Sequence, residues 1–92
     1  MHGMLDVRRF GNYGEFYQVR YEDLAGDAFT ASMNPEELHR LLYDRLALNL
    51  TDEELDRACQ RLARDGRVLF PEIEVREEEL EGAGLKFLQV EG

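Results

Sequence analysis

The sequence predicts an α+β fold: a mostly antiparallel sheet in β-β-β-α-α-β-β order with a two-helix pair packed on one face. Three observations predict it. The N-terminal third alternates apolar and polar side chains, which is typical of strands. Two segments with helix-capping residues then repeat leucine at helical spacing, and a β-rich run follows Gly66. A run of strands separated from a run of helices is typical of the α+β class.

The N-terminal strands are predicted from a period of two along the chain. In "EFYQVRYE" one face carries tyrosines and a valine, and the other carries Phe16 with polar residues. We place strands at about residues 4–10, 15–22 and 27–33, joined by short turns that contain glycine. Connections this short predict an antiparallel meander.

Two similar hexamers, "MNPEEL" and "LTDEEL", mark the starts of two helices. Asn34 and Thr51 have the chemistry of N-caps, and each precedes by three residues a glutamate that can bond back to the cap. Neither hexamer has the alternating oxygen ligands and central glycine of a calcium loop. We expect helices at about residues 35–48 and 51–65, the second ending at Gly66, and a connection short enough to pair them.

After Gly66 the alternation predicts strands at about residues 67–75 and 85–90, with a charged turn or short helix between them. Pro71 interrupts the first of these strands. Because proline cannot donate to a β-ladder, this strand must be an edge strand or be bulged at that position. A one-residue bulge would bring four apolar side chains to one face, namely Val68, Phe70, Ile73 and Val75.

The composition narrows the function classes. A chain of 92 residues corresponds to a single domain, 1–92, with enough length for one core. The single cysteine, Cys59, and the lack of an apolar signal or membrane-spanning run indicate a cytoplasmic protein. The net charge of −9, from 20 acidic and 11 basic residues, disfavours nucleic acid and anionic lipid as partners.

Catalytic chemistry has little support in the sequence. His2 lies at the terminus, His39 lies at the margin of an apolar helix stripe, and Cys59 lies within the stripe of the second helix. The expected fold gives no reason for His39 and Cys59 to meet, and a nucleophile needs a base beside it. Phosphate loops, metal-spaced Cys or His pairs and nucleophile elbows do not occur. We expect no catalytic residue, metal, cofactor or small-molecule substrate.

Arginines recur on the second helix at positions 57, 61 and 64, and Arg67 follows just beyond. With its capped helix, glycine stop and following β-run, "LTDEELDRACQRLARDGRVLF" resembles the recognition helix and wing of a winged-helix module. The resemblance implies DNA binding through Arg57, Arg61, Arg64 and Arg67, which is the alternative function. The chain departs from that family by beginning with strands. The same arginines also complement the helix dipole, and Glu53 is spaced to pair with Arg57.

The leading prediction is a small acidic, non-catalytic protein-interaction module. One candidate surface is the acidic run at residues 72–81, which holds six glutamates and one arginine. Such a run is typical of a solvated surface, and it can also dock a basic partner. Glu77, Glu78 and Glu79 are the candidate residues.

The second candidate surface is aromatic and involves Phe16 and Tyr13. Aromatic side chains on an otherwise polar sheet face can mark a protein interface. Which face of the second strand is buried stays open: either Phe16 lies outside, or Tyr17 and Tyr21 form the exposed patch. The expected partner is another protein, or a second copy of the chain in a homodimer.

Overall fold

The computed structural model describes residues 2–11, 15–45 and 50–88. The strands are β1 (His2–Phe10), β2 (Phe16–Asp23), β3 (Ala28–Met33), β4 (Arg67–Glu74) and β5 (Lys86–Leu88). The helices are α1 (Pro35–Arg40), continued by a π-helical turn (Leu41–Arg45), α2 (Asp52–Asp65) and the short α3 (Glu77–Gly82). The predicted α+β class and the order of strands around the helix pair are confirmed.

The strands form one sheet in the order β4-β1-β2-β3-β5, and all the described pairs are antiparallel. The first three strands make the predicted meander, and the two C-terminal strands occupy the edges. Pro71 therefore lies on an edge strand, as predicted. The pairing slips beside it, because Gly3 faces Ile73 whereas Leu5 faces Phe70. This bulge places Phe70 and Ile73 in the core together.

In the described part of the chain, the helices pack on one face of the sheet. α1 lies over β2 and β3, and α2 lies over β1 and β4. Leu41 and Leu42 of the π-helical turn join the same core. Beneath them four odd-numbered side chains of β1 and β2 are fully buried, namely Leu5, Val7, Val19 and Tyr21. The tyrosine face of β2 is thus the core face, and Phe16 lies outside, which resolves the alternative that the sequence left open.

The helix starts have the predicted caps. The Asn34 side chain accepts from the Glu37 backbone N–H at 2.8 Å, and the Glu37 carboxylate accepts from the Asn34 N–H at 3.4 Å. Thr51 Oγ1 accepts from the backbone N–H of Glu54 at 3.2 Å. The second helix ends at Gly66, whose φ of 74° is the left-handed conformation that glycine adopts without strain.

The first helix differs from the prediction of 35–48. It is α-helical only through Arg40 and then widens into the π-helical turn, while residues 46–48 lie outside the described part of the chain. Leu38, Leu41 and Leu42 are buried as the leucine spacing predicts. Within the described residues, no helix is both long enough and apolar enough to cross a membrane.

Arg9 fastens the end of α2 to the sheet. Its backbone N–H donates to the Gly66 carbonyl at 2.7 Å, and its Nη1 donates to the Ala63 carbonyl at 3.4 Å. The last carbonyls of a helix lack intrahelical partners and attract cations. This contact fixes where the chain leaves α2 and enters β4.

Tyr21 links three adjacent strands. It lies on β2, its ring passes over Gly3 of β1, and its hydroxyl donates to the carbonyl of Ile73 on β4 at 3.1 Å. A Cβ on Gly3 would collide with the carbonyl of Glu22 and lie 2.7 Å from the Tyr21 ring. Glycine inside a strand marks this kind of close approach.

Gly3→Ala should therefore destabilise the protein by about 2–3 kcal/mol, since the added methyl group meets backbone and a packed ring that cannot withdraw. Urea unfolding measures this change. Gly82→Ala is the matched control, because nothing lies within 4 Å of the position its Cβ would occupy. Equal stability of the two variants would show that Tyr21 does not pass over Gly3.

Tyr21→Phe should cost about 1 kcal/mol at neutral pH through loss of the hydrogen bond. Burial raises the pKa of Tyr21, and the carboxylates of Asp23 and Glu74 raise it further. The unfolded chain releases this proton at about pH 10, so the folded state holds it to higher pH. Its stabilising contribution is complete below about pH 10 and is lost as pH rises through the folded pKa. The difference between wild type and variant should shrink at alkaline pH, and a pH-independent difference contradicts this account.

Candidate interaction surface on the open face of the sheet

The even-numbered side chains of β1 and β2 point away from the helices. Paired across these strands are Met4 with Glu22, Asp6 with Arg20, Arg8 with Gln18, and Phe10 with Phe16. On β4, Leu69 lies opposite Asp6 and Arg67 lies opposite Arg8. We call these ten residues the open face. All of them are exposed or half-buried, because the described helices pack on the opposite side.

Exposed apolar side chains are concentrated on the open face. Of the seven large apolar residues that are exposed in the described chain, four belong to it: Met4, Phe10, Phe16 and Leu69. Phe10 and Phe16 stack with their ring centroids 5.8 Å apart. Met4 and Leu69 lie toward the opposite end of the same strands. Apolar groups gathered on one side of a molecule, with polar groups between them, are typical of a binding surface.

Asp6 organises the charges at the centre of this face. Its carboxylate accepts two hydrogen bonds from Arg67, both 3.1 Å, and one from Arg8 Nε at 3.2 Å. The Asp6 side chain is only 15% exposed. Arg8 and Arg67 stand directly opposite each other on neighbouring strands, where like charges are destabilising. Asp6 bridges them and offsets this repulsion.

A shallow cleft of about 250 Å³ lies over the charged centre. Its walls are Met4, Asp6, Arg8, Arg20, Glu22 and Arg67. Arg20 pairs with Glu22 at 3.5 Å, and the three arginine side chains each keep between 51% and 55% of their surface exposed. Three guanidinium groups thus face two carboxylates around the cleft, on a protein whose net charge is −9. The guanidinium groups of this site can donate hydrogen bonds to a negatively charged ligand.

The predicted site residues are separated by the fold. Phe16 belongs to the open face, whereas Tyr13 lies outside the described residues. Glu77 and Glu78 are exposed on α3. The Glu79 carboxylate accepts from the Arg76 backbone N–H at 3.2 Å, so this glutamate helps to start the helix.

The predicted basic set is divided between the two sides of the sheet. Arg57, Arg61 and Arg64 are exposed on α2, but Arg67 pairs with Asp6 on the open face. Arg57 has Glu53 at 3.7 Å, and Arg64 has Asp65 at 3.2 Å. The arginines of α2 therefore present a surface interspersed with acidic residues.

A second cleft of about 160 Å³ runs between the helices and contains His39, Tyr43 and Cys59. The His39 and Tyr43 rings stack with centroids 4.5 Å apart, and the Tyr43 hydroxyl lies 3.7 Å from Cys59 Sγ. That contact raises the pKa of Tyr43, and the Asp56 carboxylate raises it further. The expected fold gave no reason for His39 and Cys59 to meet, and the structure places both along this cleft. Tyr43 contacts each of them, and the described hydrogen bonds do not join thiol to imidazole.

The described residues contain no group of three or more His, Cys, Asp or Glu side chains placed to hold a metal ion. Comparisons of the chain with protein-family models, with curated proteins and with solved structures found no match.

Phe16 is among the residues predicted from the sequence, whereas the charged centre on the same face is not. The available signal was the shared parity of Asp6, Arg8 and Phe10 on β1 and of Arg20 on β2, which places all four on one face once the core face is known. Arg67 could not be assigned to this group, because only the register of β4 against β1 brings it opposite Arg8.

Asp6→Asn should destabilise the protein by about 1 kcal/mol, because two guanidinium groups lose their shared carboxylate and repel each other across water-exposed space. The loss should become smaller when NaCl is raised from about 0.1 M to about 1 M, where the screening length falls to about 3 Å. Urea unfolding at both salt concentrations measures it.

Glu53→Gln is the control, because it breaks an exposed pair with Arg57 on α2. It should cost no more than about 0.5 kcal/mol. If the two variants were equally stable, the Asp6 cluster would be an ordinary exposed ion pair.

Proposed function

We propose that this protein is a non-catalytic interaction module that docks a partner protein on the open face of its sheet. The observation that carries the proposal is the concentration there of four of the seven exposed large apolar side chains, around a cluster of arginines. Aromatic residues, methionine and arginine are the types enriched in protein interfaces. A cytoplasmic location is part of the proposal, supported by the single, unpaired Cys59.

The arrangement of this face supports docking more than it supports catalysis. Stacked Phe10 and Phe16 offer an aromatic anchor, and Met4 with Leu69 offers a second apolar contact. Interfaces gain most of their affinity from a few buried anchors of this kind, and the polar groups between them confer specificity. The sheet holds these side chains on rigid strands, so little conformational entropy is lost on binding.

The acidic segment is a weaker candidate for the docking surface. Glu79 caps α3 and Leu80 is buried, so only part of this run is free to meet a partner. DNA binding by a winged-helix-like α2 also has less support. Asp52, Glu53, Glu54, Asp56 and Asp65 share that helix with its three arginines, and phosphate binding requires excess positive charge.

The test compares the amount of partner protein that the wild type and a double variant retain. Phe10→Ser with Phe16→Ser removes the aromatic anchor from the surface without touching the core, so the double variant should remain folded by circular dichroism. Immobilised wild-type protein should retain a defined partner at near-stoichiometric yield, and the double variant should lose at least about 90% of it, since hot-spot side chains contribute about 2 kcal/mol or more each.

Leu24→Ser is the matched control, because Leu24 is 86% exposed in the β2–β3 turn and lies off the open face. This variant should retain the partner as wild type does. If the same protein is retained equally by all three forms, binding uses another surface and the proposal is wrong.

A further inference from the structure

We propose that the partner presents an acidic segment, in extended conformation, whose carboxylates bind the arginines of the open face while flanking apolar side chains contact its two apolar ends. This inference rests on the proposed function and adds the chemistry of the ligand. In seven residues of the ligand, the first and seventh are apolar and the third and fifth are acidic.

The open face carries more positive than negative charge around the cleft, with three arginines against two carboxylates, Asp6 and Glu22. Arg8 and Arg67 face each other across neighbouring strands, with Asp6 as the carboxylate between them, and Arg20 shares the same cleft. Like charges directly opposite each other weaken a sheet, and core packing does not require arginine at exposed positions. A third carboxylate, from the ligand, would balance the three arginines, because guanidinium groups bind carboxylates through paired, charge-assisted hydrogen bonds.

The spacing on β1 determines the spacing in the ligand. Met4, Asp6, Arg8 and Phe10 follow one another on the same face, so the two apolar ends are six residues apart. Six residues of extended chain span about 20 Å. An extended peptide running along β1 has the same rise, so its first and seventh side chains reach the apolar ends when its fifth reaches Arg8. Its third then lies at the level of Arg20, which stands opposite Asp6 on β2.

Charge decides between the macromolecules that could carry these anions. The protein is strongly acidic overall, so a polyanion is repelled at long range, and nucleic acid has about one charge per ~1.7 Å of duplex. A segment with two carboxylates meets less repulsion, and at distances below about 8 Å the local arginines act on it almost unscreened. A second copy of this chain would bring its own net charge of −9 to the contact.

The experiment titrates the full chain into a fluorescently labelled heptapeptide with leucine at its ends, glutamate at the third and fifth positions and serine elsewhere, followed by anisotropy. The control peptide has glutamine in place of both glutamates. Binding should be saturable, and it should weaken at least about tenfold for the glutamine peptide and for Arg20→Gln, since each removes a charge-assisted contact. Arg67→Gln is a second variant with the same expected direction.

Arg57→Gln is the matched control for Arg20→Gln. Both arginines are exposed, and each has one glutamate partner: Glu53 lies 3.7 Å from Arg57, and Glu22 lies 3.5 Å from Arg20. Each change removes one positive charge. Arg57 lies on α2, on the other side of the sheet, so its replacement should alter affinity less than about twofold. Equal weakening by both variants would show that only overall charge matters, and the inference would fail.

Three other outcomes would overturn the inference. An oligothymidylate that binds more tightly than the peptide, and loses binding in Arg20→Gln, would identify nucleic acid as the ligand. A concentration-dependent mass in ultracentrifugation, abolished by Arg20→Gln, would identify a second copy. Binding of neither peptide would reject an acidic ligand, but the proposed function would still stand if the Phe10→Ser, Phe16→Ser variant lost its partner protein.

Discussion

Burial of one face of the central strands beneath the helix pair constrains the rest of this molecule. Val19 and Tyr21 lie in the core with no exposed surface, so every even-numbered neighbour on β2 must point the other way. A one-residue shift would move the apolar set into water, which is why the pairing of β1 and β2 is so strongly specified. The open face is therefore a direct consequence of how the core is packed.

The edge strand β4 depends on contacts that come from distant parts of the chain. Arg9 fastens the end of α2 at Gly66, and Tyr21 reaches across Gly3 to the Ile73 carbonyl. These contacts hold β4 beside β1 at both ends. The Pro71 bulge lies between them and allows the strand to keep its apolar residues in the core despite the change of parity.

The two sides of the sheet have different chemistry. The helix side contributes caps, dipole complementation and the small cleft in which Tyr43 contacts Cys59. The open side joins apolar anchors to a group of arginines that share one half-buried carboxylate, Asp6. The protein has a net charge of −9, yet this face has a local surplus of guanidinium groups. Arg8 and Arg67 stand opposite each other on neighbouring strands, where like charges destabilise the sheet, so fold stability accounts for these arginines only in part.

Local chemistry in the sequence determined the helix starts at Asn34 and Thr51, the helix end at Gly66 and the strand periodicity, because caps and alternation act between residues close in the chain. Only tertiary structure decided that Phe16 lies outside and that Arg67 lies opposite Arg8. Both depend on which face the helices cover and on the register of strands about sixty residues apart, as in the pairing of Arg8 with Arg67. Packing between segments that are far apart in the chain determines these two features, and no local sequence pattern encodes that packing.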